Sequence, residues 1–310
     1  MTSRATTPAA GRSRDAGRGA RSGSTKRRKR LGPGWVPREH GAWAMLVVPA
    51  VVGAVLTGAT WRNALLLVTW LVAYLAFHAT GLWLRASRRP RYWPPVRAYG
   101  VALLVLGAAL VASAPGLLRW APAYAVLLAT SLACSVRRAD RSWLNDGVTV
   151  GAAMLMTVVA AGLGHDADPT AAQLGGTWVP PGAGDAAVWA ATAVLAAYFF
   201  GTVPYVKTLL RERGNRAVLT FSIAYHAVLV VIALAVLVAT VARDAEPGGV
   251  AVSVALVAVA VGLLLRAVLV PRHRPWPSAQ AIGVGEIAAS TVVAVLACVI
   301  PALVGVPTVA

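Results

Sequence analysis

Nine apolar runs, each about 17–25 residues long, constrain this chain more than any other feature. Such a run is long enough to cross the roughly 30 Å hydrocarbon core of a bilayer as an α-helix. Short connections rich in arginine, glycine and proline separate the runs, and only one connection exceeds about 20 residues. The predicted spans are 42–60, 63–84, 98–114, 117–136, 146–164, 187–208, 218–242, 249–270 and 280–304.

The composition excludes a soluble fold. Of the 310 residues, 58% are hydrophobic and only 13% are charged, whereas soluble domains carry about 25% charged residues. A water-exposed surface of this size could not be covered with so few charges. The sequence therefore predicts an all-α, polytopic membrane protein with about nine transmembrane helices.

The N-terminal segment has a different composition from the rest of the chain. Residues 1–36 contain few large apolar side chains, so they cannot bury enough surface to fold, and we predict a basic tail ahead of a membrane domain at 37–310. The run Lys26–Arg30 lies about a dozen residues before the first span. At that distance it meets anionic lipid headgroups, and we expect lipid rather than nucleic acid as its partner.

The distribution of positive charge predicts the orientation. If the tail is cytoplasmic, 26 of the 29 lysines and arginines lie on the cytoplasmic side, and only Arg62, Arg119 and Arg243 lie outside. This asymmetry follows the positive-inside rule. We therefore predict a multi-pass protein of the cytoplasmic membrane with its N-terminus inside and its C-terminus outside.

Three ionisable side chains interrupt the apolar spans, although each costs about 2.5–3.5 kcal/mol at a span centre. They are His78, His226 and Glu286, all in the predicted cytoplasmic half. Polar residues accompany them at helical spacing, as Tyr198, Thr202 and Tyr205 do on the sixth span. This pattern predicts a polar cavity open to the cytoplasm in which the two histidines and the glutamate handle protons. Ordinary interhelical hydrogen bonding is the alternative.

The rim of the predicted cavity carries further charged and polar residues. Lys207 and Arg211 are four residues apart and hence on one helical face, and cations at a cavity mouth suit a phosphate or carboxylate. The predicted anion-binding rim is Arg38, His40, Lys207 and Arg211. The other rim residues are Glu39, Asn145, Asp146 and Glu212.

Three motifs resemble the YwiC-like family of bacterial membrane proteins. The first is Pro37–Met45, a charged His-Gly-Ala-Trp entry into the first helix. The second is Asn145-Asp146-Gly147, and the third is Val203–Thr208 running into Arg211-Glu212-Arg213. The resemblance implies a bacterial integral membrane protein and no particular activity.

The architecture is also distantly similar to UbiA-type prenyltransferases, which hold magnesium with aspartate-rich loops. Their Asn-Asp-x-x-Asp-x-x-x-Asp pattern, placed on Asn145-Asp146, requires aspartate at positions that hold Thr149 and Ala153. The cysteines and histidines show no metal-ligand spacing either. We predict no metal site and no cofactor.

Four functions remain open from the sequence. The first is a protein whose cavity binds an amphipathic or anionic small molecule. A small-solute or proton-coupled transporter is the second, although the sequence contains no internal repeat of the kind that builds alternating access. A UbiA-like lipid-modifying transferase without the usual metal motifs and a membrane assembly factor complete the set. The sequence predicts no substrate, catalytic residue or oligomeric state.

Overall fold

A computed structural model of the chain describes residues 34–37, 42–165 and 178–304. Apart from three short 3₁₀ turns and a four-residue last helix (α10, Pro301–Val304), these residues form nine helices joined by loops. The helices are α1 (Ala42–Leu56), α2 (Trp61–Arg85), α3 (Trp93–Ser113), α4 (Ala121–Val136), α5 (Trp143–Ala161), α6 (Ala186–Leu210), α7 (Arg216–Ala242), α8 (Pro247–Leu269) and α9 (Ala279–Val299).

The described helices confirm a polytopic helical membrane protein. Eight of them, α2 to α9, are long and apolar enough to cross a bilayer. The remaining helix, α1, is apolar but has 15 residues, so it ends earlier than the predicted 42–60. Gly58 turns the chain in the left-handed region, at φ +74°, and α2 begins directly afterwards at Trp61.

Helices α5 and α6 are the innermost of the bundle, because larger fractions of them are buried than of any other spanning helix among the described residues. Helix α1 packs closely on α5. At this crossing a Cβ on residue 53 would clash with the carbonyl of Thr157, so only Gly53 permits the approach. The central core consists of apolar residues from α1, α5, α6, α8 and α9, including Val52, Val150, Leu195, Leu263 and Val293.

Large apolar side chains cover the outside of the bundle. Leu104 on α3 is 74% exposed, and Val126 on α4 and Val238 on α7 are about two-thirds exposed. Exposed apolar surface of this extent is a liability in water and is the normal lipid-facing surface of a membrane helix.

Contacts between the connections show how the ends of the helices are grouped. Arg85 at the end of α2 pairs with Asp140 in the α4–α5 loop. Lys207 near the end of α6 pairs with Asp146 in the first turn of α5, so these ends lie together. We call this the arginine-rich end. At the opposite end, Trp120 donates its indole N–H to the carbonyl of Pro181 before α6.

Two boundaries differ from the sequence prediction in a way that matters for the rim. Helix α5 begins three residues before the predicted 146, because Ser142 accepts a hydrogen bond from the backbone N–H of Asn145 and caps the helix. Helix α6 continues through Pro204 to Leu210. Asn145 therefore lies in the first turn of α5 rather than in a loop, while Asp146 and Lys207 lie in helices, as the predicted spans 146–164 and 187–208 have them.

Candidate functional site

A buried ion pair joins α8 to α9. Arg266 Nη1 lies 2.6 Å from Oε1 of Glu286, and Glu286 is only 7% exposed. Two charges removed from water must be compensated by each other and by further hydrogen bonds. Arg266 was counted from the sequence as one of the orientation-setting cations. Its position near the end of an apolar run gives no sign that it pairs with a glutamate 20 residues later in the chain.

Helix α6 supplies the remaining donors to this carboxylate. The hydroxyls of Tyr198 and Thr202 donate to Oε2 of Glu286, at 3.0 Å and 3.1 Å. One turn further along, the ring of Tyr205 lies 4.1 Å from the guanidinium carbon of Arg266, which is cation–π distance. The spacing Tyr198, Thr202, Tyr205 predicted from the sequence thus places three side chains on the face of α6 that meets the ion pair.

Arg266 does not use all of its donors. Its Nε and Nη2 atoms are buried and have no hydrogen-bond partner among the described residues. Buried donors are nearly always satisfied in native proteins, and an exception calls for an explanation such as a water or a ligand. The guanidinium therefore offers N–H groups to an acceptor that the described part of the chain does not provide.

His226 on α7 lies almost completely buried, with 1% of its surface exposed. Its Nδ1 is 2.7 Å from the backbone carbonyl of Ser222. Because a carbonyl only accepts, Nδ1 carries a proton. In the neutral imidazole, Nε2 then keeps its lone pair. Nε2 faces α6 at Gly201, where a Cβ would come within 3.1 Å of it and within 2.8 Å of the Tyr225 ring.

An apolar pocket of about 350 Å³ lies between α6, α7, α8 and α9. Almost all of its lining is aliphatic; the exception is Tyr198, which brings its ring to the pocket and its hydroxyl to Glu286. The other lining residues include Ala197, Ala233, Leu256, Ala260 and Leu296.

On the side of the pocket nearer the arginine-rich end, each of the four helices carries a polar residue. His226 lies one turn from the lining residue Leu229, Arg266 lies one turn from Leu263, and Glu286 lies two turns from Val293. Together with Tyr198, these residues form what we call the polar tier. Two of the three ionisable residues singled out in the sequence, His226 and Glu286, thus belong to one region.

The third, His78, does not belong to it. His78 is half-buried on α2, and α2 packs against α1, α3 and α4. The predicted rim residues Arg38, Glu39 and His40 lie outside the described residues.

Lys207 is held by an acidic partner. Its Nζ lies 2.5 Å from Oδ2 of Asp146 and 3.7 Å from the centroid of the Trp143 ring, and the residue is 8% exposed. Arg211 is exposed just after the end of α6. The pair predicted to form an anion-binding rim therefore includes one cation whose charge is balanced within the protein.

Asn145 belongs to a hydrogen-bonded cluster between α2, α4 and α5. Its Oδ1 accepts from Ser131 at 2.6 Å, and its Nδ2 donates to the carbonyl of Asp140 at 2.8 Å. Asp140 in turn accepts from Ser135 at 2.7 Å and pairs with Arg85 at 3.0 Å. Partial burial raises the pKa of Asp140, but the Ser135 hydrogen bond and the Arg85 charge outweigh it and leave the pKa below its usual value.

Glu212, the last of the predicted rim residues, lies in the turn between α6 and α7. Its Oε2 accepts from Nδ2 of Asn215 at 3.0 Å, and Asn215 is the residue that caps the start of α7. Glu212 thus stabilises the α6–α7 turn.

The fold and this site together define a multi-pass helical membrane protein with a buried charged cluster beside an apolar pocket. Residues 36–161 match the family described as YwiC-like protein. The chain is also 28% identical over 194 residues to the "Uncharacterized protein YwiC" of Bacillus subtilis (strain 168), an alignment covering 63% of this chain and 74% of that protein. The chain is thus similar to YwiC-like proteins, over residues 36–161 for the family and over 194 residues for this relative. No solved structure matches the chain.

The family match ends with α5. It includes Asn145 and Asp146, whereas the polar tier and the pocket lie on helices beyond it.

Proposed function

We propose that this protein binds an amphipathic molecule within the cytoplasmic membrane. The apolar part of the ligand would occupy the pocket between α6 and α9, and its polar group would meet the polar tier. One observation carries the proposal: an aliphatic pocket borders Tyr198, whose hydroxyl donates to Glu286, while Arg266 beside Glu286 keeps buried N–H groups that have no acceptor among the described residues.

The size and chemistry of the pocket suit the apolar part. Ligand pockets are mostly apolar, span about 300–1,000 Å³ and carry a few placed polar groups that fix orientation. A volume of about 350 Å³ falls at the lower end of that range. The pocket therefore suits a single chain or a small ring system rather than a bulky ligand.

The polar tier suits a head group that carries oxygen acceptors. Arg266 would donate Nε–H and Nη2–H to them, and the Glu286 carboxylate keeps the net charge of the cluster near zero. Nε2 of His226 retains a lone pair and can take a proton. A carbonyl, hydroxyl or carboxylate therefore fits this tier better than a multiply charged diphosphate.

The contacts of Asn145 and Asp146 favour binding over UbiA-type transfer. In UbiA-type enzymes, motif residues of this kind hold magnesium against a diphosphate. Here Asp146 is paired with Lys207 and Asn145 is bonded to Ser131 and Asp140. A diphosphate site at this position would have to break both sets of contacts.

The predicted orientation of the protein in the membrane sets the direction in which the ligand would lie. The polar tier lies toward the arginine-rich end, which the positive-inside rule assigns to the cytoplasm. A ligand would therefore have its head group in the inner half of the membrane and its apolar part toward the outer half.

The experiment compares two phenylalanine substitutions on α7. Ala233 lines the pocket and is buried, whereas Ala235, two residues away, is exposed and lies outside it. Native mass spectrometry of the purified full-length protein should detect a copurified small amphiphile in the wild type and in Ala235→Phe, and little or none in Ala233→Phe.

Two outcomes would contradict the proposal. One is that no amphiphile copurifies with the wild type and none in a lipid extract of the membrane binds to it. The other is equal occupancy in both variants. Flux of a bound amphiphile into proteoliposomes, abolished by Ala233→Phe, would instead establish a transporter that uses the same pocket.

A further inference from the structure

Two arginine guanidinium groups lie near the indole ring of Trp276, which is in the loop between α8 and α9. The guanidinium carbon of Arg274 lies 4.2 Å from the indole centroid, and that of Arg213, from the α6–α7 loop, lies 5.4 Å from the same centroid. Cation–π contacts of this length are favourable. Two positive charges from separate loops are therefore gathered on one aromatic ring.

The ring and both guanidinium groups are fixed in place. Trp276 packs against the buried cluster of Tyr205, Leu209, Ala267 and Ile282. Arg213 donates Nε–H to the carbonyl of Leu209 at 2.5 Å, and Arg274 donates from Nη1 to the carbonyls of Pro271 and His273 at 3.1 Å and 3.0 Å. Among the described residues, no hydrogen-bond acceptor contacts the Nη atoms of Arg213 or Nη2 of Arg274.

Within the described part of the chain, no carboxylate balances these charges. Neither Arg213 nor Arg274 forms an ion pair there, and both are exposed. The one acidic residue in the α6–α7 turn, Glu212, is bonded to Asn215. Like charges gathered on one ring repel each other, and an anion bound by the guanidinium groups reduces that repulsion through charge-assisted hydrogen bonds.

The depth of the α6–α7 and α8–α9 loops in the membrane indicates which anion they meet. The two loops connect spanning helices that end at Leu210 and Leu269 and restart at Arg216 and Ala279. Tryptophan and arginine in such loops lie at the depth of lipid headgroups, where tryptophan anchors the interface and arginine binds phosphate through its planar donor fork. A phosphate group is therefore the anion that this place meets most often.

We propose that Arg213 and Arg274, held on Trp276, bind the phosphate of an anionic phospholipid headgroup. The site shares no residue with the α6–α9 pocket, so it is independent of the amphiphile proposed above. It would fasten the α6–α7 and α8–α9 loops to the lipid surface at the arginine-rich end.

The test is lipid binding by the full chain in detergent, with phosphatidylglycerol as the anionic probe and phosphatidylcholine as the zwitterionic comparison of zero net charge. The double variant Arg213→Gln/Arg274→Gln removes both positive charges that contact the ring of Trp276. The control Arg137→Gln/Arg138→Gln removes two arginines from the α4–α5 loop at the same end. Among the described residues, neither of these arginines makes a cation–π contact.

The wild type and the control should bind phosphatidylglycerol in preference to phosphatidylcholine in native mass spectra, with a rise in melting temperature on addition of phosphatidylglycerol. The Trp276-site double variant should lose about tenfold or more in affinity for phosphatidylglycerol, while its melting temperature without lipid stays close to that of the wild type. Equal weakening in the two double variants would reduce the effect to net charge and overturn the proposal.

A third arm separates lipid from free phosphate. Millimolar inorganic phosphate should neither displace phosphatidylglycerol nor raise the melting temperature. Displacement by inorganic phosphate would mean that the site recognises the free ion, and the lipid assignment would be wrong.

Discussion

The hydroxyl of Tyr198 lies 3.0 Å from Oε2 of Glu286, so the innermost region of α6 is bonded directly to the carboxylate that pairs with Arg266. Tyrosine here has two roles, because its ring lines the apolar pocket and its hydroxyl belongs to the polar tier. The pocket and the ion pair are consequently in contact through a single side chain.

Tyr198→Phe should separate these two roles. It keeps the ring in the pocket and removes one hydrogen bond to a charged acceptor, which is worth about 1.5–3 kcal/mol. We expect a lower melting temperature in detergent and retained binding of the apolar part of a ligand. Thr202→Val, which removes the other hydroxyl donor to Glu286, is the matched comparison and should have a similar effect. An unchanged melting temperature in both variants would contradict the arrangement.

Breaking the ion pair from one side should cost more than replacing it. Glu286→Leu leaves Arg266 charged and buried, and losses of about 3–5 kcal/mol are typical when one partner of a buried pair is removed. The double variant Arg266→Met/Glu286→Leu should recover much of that loss, because no unpaired charge remains. Unfolding measurements on the two single variants and the double variant give the coupling energy, and additive effects would show that the pair is not coupled.

Gly201→Ala should disturb the contact between α6 and α7. The new Cβ would come within 2.8 Å of the Tyr225 ring and 3.1 Å of Nε2 of His226, so one of the two side chains must move, at a cost of about 1–3 kcal/mol. Gly262→Ala, on the neighbouring α8, meets nothing within 4 Å and should be neutral or slightly stabilising. Equal melting temperatures for the two variants would contradict the close approach at Gly201.

Asp140 should make part of the stability depend on pH. A carboxylate whose folded-state pKa is lowered contributes stability above its unfolded value, about 3.9, and that contribution is lost as the pH falls through the lower folded-state pKa. The wild type should therefore exceed Asp140→Asn in melting temperature at neutral pH, and the difference should shrink below about pH 4. Glu246→Gln, an exposed carboxylate at the start of α8, controls for the loss of a negative charge.

The orientation can be tested with single cysteines. Arg137→Cys lies at the arginine-rich end and Glu246→Cys at the opposite end. With the N-terminus inside, a membrane-impermeant thiol reagent applied to intact cells should label Glu246→Cys, and Arg137→Cys should react only after permeabilisation. The native thiols provide the background: Cys134 is buried and Cys298 is half-buried. The opposite labelling pattern would reverse the predicted topology.

The sequence was a good guide to the helices and a partial guide to their contacts. Apolar runs of membrane-crossing length predict helices directly, because the bilayer leaves a chain few other ways to satisfy its backbone. The stripe Tyr198, Thr202, Tyr205 likewise identified the face of α6 that meets Glu286. Helix boundaries differ from the predicted ones where a capping residue sets the start of the helix, as Ser142 does for α5.

Pairings between distant helices could not be read in the same way. Arg266 looked like an orientation signal because its partner lies on another helix, and Lys207 looked available because its partner, Asp146, also lies on another helix. A linear sequence gives the depth of each residue but not the rotation of one helix against another. His78 has nearly the same predicted depth as His226, and yet it lies on α2, away from the polar tier.

Helix α6 also joins two parts of the protein that the family match separates. Lys207 fixes its end to Asp146 on α5, the last helix inside the matched segment, while Tyr198 and Thr202 fix its middle to Glu286 on α9. Both attachments lie on α6, about two and a half turns apart. Any ligand that pushes on Tyr198 would therefore strain the Lys207–Asp146 bridge as well, and the indole of Trp143, 3.7 Å from Lys207, would register that strain in its fluorescence at a distance from the pocket.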